Sequence, residues 1–144
     1  MLPDTLQDVL DTFALVTDPV DRANLLIGFA DQFRPVPPEV AAPPYPRDHQ
    51  VPYCESDAYV WLVPQADGTA TLHFAVENPS GISAKALAAI LQSTLSGLTP
   101  EAIEQVSPDI VEQIFRQNIS MGKGMGLMAM VQAVQSLARR ARPR

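Results

Sequence analysis

The stretch AYVWLVPQADGTATLHFAV, residues 58–76, decides the fold of this 144-residue chain. Residues 58–63 and 69–76 are rich in β-branched, aromatic and aliphatic side chains, which favour β-strands. Between them, Asp67-Gly68 is typical of the tight turn in a β-hairpin. The pattern therefore predicts two antiparallel strands, and a short strand around residues 49–51 is expected to pair at the edge.

Helical signals flank the predicted hairpin on both sides. In residues 4–16 the apolar side chains recur at helical spacing. Asp18 followed by Pro19 is typical of a helix start, and this second helix is expected to run to about Phe33. Cap and proline signals predict further helices over residues 80–96, from Thr99-Pro100, from Ser107-Pro108, and from about residues 124–126 to about Arg140. This order predicts an α+β fold in which helices cover one face of a small antiparallel sheet of about three strands.

A proline-rich segment connects the second helix to the hairpin. Residues 35–52 contain seven prolines, which lack a backbone donor and restrict the preceding residue. We expect an ordered but irregular connection that lies over the domain. A flexible linker is the alternative, although too little chain precedes it to form a separate domain. Residues 1–144 are therefore expected to form a single domain.

The composition excludes some classes of function. The net charge of -6 argues against nucleic-acid binding, which needs clustered Lys and Arg. The basic residues that do cluster are expected to complement the end of the last helix: Arg139, Arg140, Arg142 and Arg144. No apolar run reaches the length of a membrane span, and no pattern of a signal peptide is found. We expect no membrane partner and a cytoplasmic location, with an organellar stroma or matrix as the alternative.

Cys54 is the only cysteine of the chain, so an internal disulfide is excluded. Together with His49 and His73 it does not provide the roughly four ligands of a structural zinc site or an Fe–S cluster. We therefore expect no metal or cluster held by the chain alone. His73 alternates with apolar residues on the predicted strand and is expected to be a structural histidine whose hydrogen bonds are satisfied. His49 could serve Cys54 as a base in a small Cys-dependent hydrolase if the fold brings the two together.

Cys54 lies in the segment VPYCES, residues 51–56, between the proline-rich segment and the first predicted strand. A cysteine in such a loop is either a reactive thiol presented by a rigid scaffold or a small buried apolar side chain. The neighbouring carboxylates of Glu55 and Asp57 disfavour a thiolate, so we expect a thiol of low reactivity in the free protein. Ser56 could hydrogen-bond the sulfur or cap the loop.

The residues around Cys54 resemble the cysteine loop of the SufE family, in which a Val-x-Gly-Cys-x-Ser motif precedes a strand rich in aromatic and aliphatic residues. Val51, Cys54, Ser56 and Trp61 match this pattern, and Tyr53 replaces the usual glycine. Further matches follow in the family's order over nearly the whole chain: Asp18, Arg22, Leu25, Leu26 and Ile27; Lys85, Leu87, Ala89, Ile90 and Leu91; Ser96-Gly97-Leu98-Thr99-Pro100-Glu101; and Gly126-Leu127-Met128-Ala129-Met130.

This resemblance implies a SufE/NifU-like fold and a role as a sulfur acceptor. A cysteine desulfurase, a SufS-like pyridoxal-phosphate enzyme, would form a persulfide on its own cysteine. Cys54 would then take the outer sulfur, stimulate the desulfurase, and pass the sulfur to a downstream scaffold for iron–sulfur cluster assembly. The chain itself would be a carrier without a cofactor. A non-catalytic adaptor of the desulfurase and a Cys-dependent small hydrolase are the alternatives.

The resemblance also implies supporting residues for Cys54, namely Tyr53, Glu55, Ser56 and Lys123. Lys123 occupies the place where the family often carries an arginine, and it could steer an anionic persulfide or contact the partner. It could equally be a solvated lysine. The nearby methionines are expected to fill the core, with adaptable packing near a partner site as the alternative: Met121, Met125, Met128 and Met130.

Overall fold

A computed structural model describes residues 2–143 of the chain. Its helices are α1 (Asp4–Leu15), α2 (Pro19–Asp31), α3 (Ile82–Leu95), α4 (Pro100–Glu104), α5 (Ile110–Phe115) and α6 (Met121–Ala141), and its strands are β1 (Ala58–Pro64) and β2 (Ala70–Val76). Short 3₁₀ turns cover Arg47–His49 and Arg116–Asn118. The α+β class predicted from the sequence is confirmed.

The sheet of the described residues contains one strand fewer than expected. β1 and β2 pair antiparallel from Ala58 opposite Val76 to Pro64 opposite Ala70. The expected edge strand contributes only an isolated bridge between Gln50 and Tyr59. Pro52 carries no backbone donor, and a 3₁₀ turn precedes Gln50, so the pairing cannot extend in either direction.

The inner face of the hairpin packs against helices. Val60, Leu72 and Phe74 point to this side and are buried in a core cluster that includes residues of every helix. α3 lies at the centre of this layer, in contact with α1, α2, β2 and α6. Its buried residues extend around most of its circumference, which is typical of a helix enclosed by other elements.

The proline-rich segment covers the outer face of the hairpin. The ring of Tyr45 lies 5.3 Å from that of Trp61 and 5.2 Å from that of Tyr59, centroid to centroid. The N–H of Val36 donates to the carbonyl of Phe74 at 2.8 Å, which ties the start of the segment to β2. The expectation of an ordered, irregular connection over the domain is confirmed.

A buried arginine joins the carboxyl ends of α1 and α5. The guanidinium of Arg22 donates to the carbonyls of Phe13 and Val16 on one side and to those of Gln113 and Ile114 on the other. Helix carboxyl ends carry partial negative charge, so these carbonyls stabilise a cation for which the described residues provide no carboxylate. Burial is the main cause that lowers the pKa of Arg22. The hydrogen bonds from Arg22 to Gln113 and Ile114 fix the end of α5, from which the chain continues towards α6.

α6 begins earlier than the sequence indicates. Glycines at positions 122, 124 and 126 disfavour a helix, so the last helix was predicted to start near residues 124–126. The hydroxyl of Ser120 instead accepts a hydrogen bond from the N–H of Lys123 at 3.3 Å and caps the helix. Lys123 and Gly126 therefore lie in the first two turns of α6.

The carboxyl end of α6 is held by α4. Arg139 and Arg142 each lie 3.2 Å from a carboxylate oxygen of Glu104. Arg144, the last member of the basic cluster, lies outside the described residues. None of the helices in residues 2–143, α6 included, combines the length and the apolar character that a membrane-spanning helix needs.

Candidate functional site

Cys54 lies in a short loop that is anchored at both of its ends. In this Cys54 loop (residues 51–57), the N–H of Val51 donates to the carbonyl of Ala58 at 2.8 Å. At the other end, the carbonyls of Ser56 and Asp57 each accept a hydrogen bond of 3.1 Å, from the N–H groups of Asn78 and Glu77. The loop is thus tied to the open end of the hairpin, and the Cys54 side chain is partly buried against the core.

The backbone of the Cys54 loop is strained at two positions. Tyr53 has φ of 61° and Asp57 has φ of 51°, both in the left-handed region. For tyrosine this conformation costs about 1–2 kcal/mol, whereas aspartate tolerates it more readily because its short polar side chain can hydrogen-bond locally. A glycine at position 53 would avoid the cost. Tyr53 is 77% exposed beside Cys54, and such strain often marks a functional position.

All five site residues predicted from the sequence border one cavity of about 200 Å³. Tyr53, Cys54, Glu55 and Ser56 of the Cys54 loop form one wall. The entry to α3 forms the second wall with Asn78, Ser80, Gly81, Ile82, Ser83 and Ala84, and α6 forms the third with Lys123, Gly126 and Leu127. Segments far apart in sequence therefore meet around the thiol.

The cavity carries opposite charges on its walls. Lys123 is the single cation among the described lining residues, and Glu55 is the single carboxylate. Within residues 2–143 no carboxylate lies in ion-pair range of the Lys123 ammonium group. The ammonium group is therefore available to an anion that enters the cavity.

Ser56 occupies the base of the loop. In the described part of the chain its hydroxyl forms no hydrogen bond with Cys54, and its Oγ and Cβ atoms lie instead against Gly81. The helix predicted from residue 80 begins later, at Ile82, and has no side-chain cap; the N–H of Ser80 donates to Asn78 Oδ1 at 2.9 Å. This tight turn brings the entry of α3 up to the loop.

The histidines lie away from the thiol. His49 Nδ1 is 2.9 Å from the carbonyl oxygen of Val60, and its ring stacks on Trp61 with centroids 5.2 Å apart. It lines neither of the two cavities that Cys54 borders. His73 lies opposite Trp61 on β2, where burial lowers its pKa. Its buried Nδ1 atom forms no hydrogen bond with the described residues, so the expectation of a satisfied histidine was wrong. The structure thus does not bring together the Cys–His pair that a hydrolase would need.

Sequence reasoning missed two features of the site. Gly81 and Gly126 lie directly against the Cys54 loop. At position 126 the signal that could have revealed this contact is a glycine inside a helix pattern, which often has a packing reason. The expectation that the methionines fill the core was wrong for three of the four, since Met121, Met125 and Met128 are exposed and Met130 alone is buried.

Comparisons with known proteins identify the family of the chain. The SufE family, described as an Fe-S metabolism associated domain, matches residues 7–138. The solution structure of a hypothetical protein from Thermus thermophilus is similar, with a TM-score of 0.75, 25% sequence identity, and 98% of each chain covered. Among curated proteins, none matches the chain significantly. Because the family match extends over most of the sequence, the chain belongs to the SufE family and has a role in Fe–S metabolism.

Proposed function

We propose that this protein accepts sulfur on Cys54 from a cysteine desulfurase, stimulates that enzyme, and passes the sulfur on for iron–sulfur cluster assembly. One observation carries the proposal. The only thiol of the chain is partly exposed, at the position of the family's cysteine loop, in a cavity bordered by all of the predicted site residues. A single thiol suits a carrier, because a second one nearby would release the sulfur and close a disulfide.

The transfer is an exchange between thiols. The Cys54 thiolate, after its proton has left to solvent, attacks the outer sulfur of the persulfide on the donor cysteine. A new S–S bond forms at Cys54 and the S–S bond of the donor breaks, so the donor cysteine leaves as a thiolate and takes up a proton. In the second step an acceptor nucleophile attacks the outer sulfur, and Cys54 leaves as a thiolate. Neither step needs an external oxidant or reductant.

Lys123 supports this chemistry through its charge. A persulfide is an anion near neutral pH, and Lys123 is the single described cation lining the cavity. Its ammonium group would attract the donor persulfide and would offset the repulsion from Glu55. The pyridoxal phosphate of the reaction belongs to the desulfurase, since Cys54 only exchanges sulfur.

Exposed apolar side chains around the cavity support docking of a protein donor. Tyr53 and Ile82 line the cavity and expose 77% and 47% of their surface. Tyrosine is enriched in protein interfaces, and clustered exposed apolar groups mark such surfaces. We call Tyr53 and Ile82 the apolar rim, and we propose that the desulfurase contacts it.

Mass spectrometry tests the proposal directly. After incubation with a cysteine desulfurase and cysteine, Cys54 is expected to gain one sulfur atom that a thiol reductant removes. Cys54→Ser should bind the desulfurase and no longer stimulate it. Stimulation that persists in Cys54→Ser would instead favour the non-catalytic adaptor. Failure of the wild-type protein to acquire sulfur from an active desulfurase would refute the relay.

We also propose that residues 1–144 form a single domain. The core cluster includes Leu6 of α1, Phe74 of β2 and Val134 of α6, so distant parts of the chain share one interior. A single cooperative unfolding transition, with the same midpoint by far-UV circular dichroism and by Trp61 fluorescence, is the expected result. Two separate transitions would refute it.

A further inference from the structure

Two glycines lie directly beneath the Cys54 loop. A Cβ atom built on Gly126 would lie 2.8 Å from the carbonyl oxygen of Tyr53 and 3.1 Å from Cys54 Cα. A Cβ atom on Gly81 would lie 2.8 Å from Ser56 Oγ and 2.9 Å from Ser56 Cβ. The middle of the loop, at Tyr53-Cys54, and its carboxyl end, at Ser56, therefore each rest on a backbone position that has no side chain. We call Gly81 and Gly126 the glycine seat.

The contact at Gly126 is specific to that position in α6. Gly122 lies one turn earlier in the same helix and has no atom within 4 Å of a built Cβ atom, and Gly124 has only an ordinary contact with the Ile119 side chain. Glycine is a poor residue for a helix interior, so Gly126 needs a local reason. The close approach of the loop backbone provides that reason, because backbone atoms cannot turn aside as the end of a flexible side chain does.

We propose, on the basis of the sulfur-acceptor function above, that Gly126 and Gly81 are positioning residues which hold the Cys54 thiol partly withdrawn into its cavity. The strained backbone at Tyr53 and Asp57 persists because the loop is hydrogen-bonded at its ends and rests on the seat. A Cβ atom at either glycine lifts the loop away from α6 or from the entry to α3. The thiol then spends more time outside the cavity, open to small reagents and to sulfur donors.

Alkylation of Cys54 in the folded protein measures this position without any desulfurase. With iodoacetamide under native conditions, Gly126→Ala is expected to react roughly five- to thirtyfold faster than wild type, the change that a modest shift in a loop equilibrium produces. Gly122→Ala is the matched control and should react at the wild-type rate. Denaturant unfolding of each variant is measured in parallel, so that exposure by global unfolding is recognised. A Gly126→Ala rate equal to that of Gly122→Ala would overturn the proposal.

A second pair of variants decides the same point if Gly126→Ala does not fold. Gly81→Ala should also accelerate alkylation, because its Cβ atom meets Ser56. In a Ser56→Gly background the two Ser56 atoms are removed and the Asn78 carbonyl oxygen, at 3.1 Å, remains, so adding Gly81→Ala should then accelerate alkylation clearly less. An equal acceleration by Gly81→Ala in both backgrounds would contradict the seat.

The outcomes also separate the seat from the proposed function. Wild-type protein that takes up no sulfur, together with faster alkylation of Gly126→Ala, would remove the relay and leave the seat in place. Normal sulfur uptake with unchanged alkylation in the glycine variants would leave the relay and remove the seat.

Discussion

Replacing Tyr53 by glycine and by alanine separates the backbone strain of the Cys54 loop from the contribution of the exposed ring. Both substitutions remove the ring, but only glycine adopts φ of 61° without a clash between Cβ and the following carbonyl oxygen. That clash costs about 1–2 kcal/mol, while glycine loses about 0.5–1 kcal/mol more backbone entropy on folding than alanine. From the middle of the two ranges, Tyr53→Gly should therefore be more stable than Tyr53→Ala by roughly 0.7 kcal/mol.

Urea denaturation of the two variants measures this difference. Tyr53 is 77% exposed, so removal of its ring changes little buried area, and both variants should unfold with the same dependence on urea. The free energies of unfolding can then be compared directly. If Tyr53→Ala is as stable as Tyr53→Gly, position 53 does not hold a left-handed conformation in solution, and the strain argument fails.

The same two variants test the apolar rim. An aromatic side chain at the centre of an interface commonly contributes more than about 1 kcal/mol, so both variants should bind the desulfurase at least about fivefold more weakly. Tyr53→Gly would then combine lower partner affinity with equal or higher stability, which separates a contact role from a folding defect. Titration calorimetry with the desulfurase gives the affinity, and wild-type affinity in both variants would exclude Tyr53 from the interface.

Three further predictions concern charged and titratable groups. Arg22→Met should lower the free energy of unfolding by about 2–4 kcal/mol, because carbonyls at the ends of α1 and α5 lose their donors; urea denaturation measures this, and an unchanged value would contradict it. Lys123→Gln should slow sulfur uptake roughly three- to tenfold at low salt, with Lys123→Arg near wild type in a single-turnover assay; equal rates would exclude steering. Because burial lowers the pKa of His73 in the folded state, the unfolded state binds more protons as the pH falls through about 6.5. Stability should therefore fall from pH 7 to pH 5, and His73→Asn should reduce that slope.

Local signals in the sequence predict most of the elements. Asp67-Gly68 and its flanking apolar runs lead to the observed hairpin, and Asp18-Pro19 and Thr99-Pro100 lie where α2 and α4 begin. These signals succeed because a turn or a helix cap depends on a few neighbouring residues. The prediction of an edge strand was wrong, because Pro52 and the preceding 3₁₀ turn, which are also local features, limit the pairing to one bridge.

The burial of the methionines and the start of α6 were predicted wrongly from the sequence. Glycines at positions 122, 124 and 126 make the amino end of α6 a poor helix by propensity, yet the Ser120 cap begins the helix ahead of them. Met121, Met125 and Met128 are as hydrophobic as core residues, but they lie on a face of α6 that no described element covers. Hydrophobicity alone does not state which face of a helix finds a neighbour.

The position of the cavity follows from the strand pairing, but its third wall does not. Because Ala58 pairs with Val76, the start of β1 and the end of β2 lie at the same end of the hairpin, so the Cys54 loop and the entry to α3 are neighbours in any fold with this register. The hairpin pattern in the sequence thus already predicts two walls. The third wall needs α6 to approach the loop backbone so closely that a side chain at position 126 would overlap it. A sequence can permit that approach by placing a glycine there, but only the packing of α6 on β1 makes the approach occur. The site is therefore completed by Gly126, because a glycine has no side chain that would overlap the Cys54 loop.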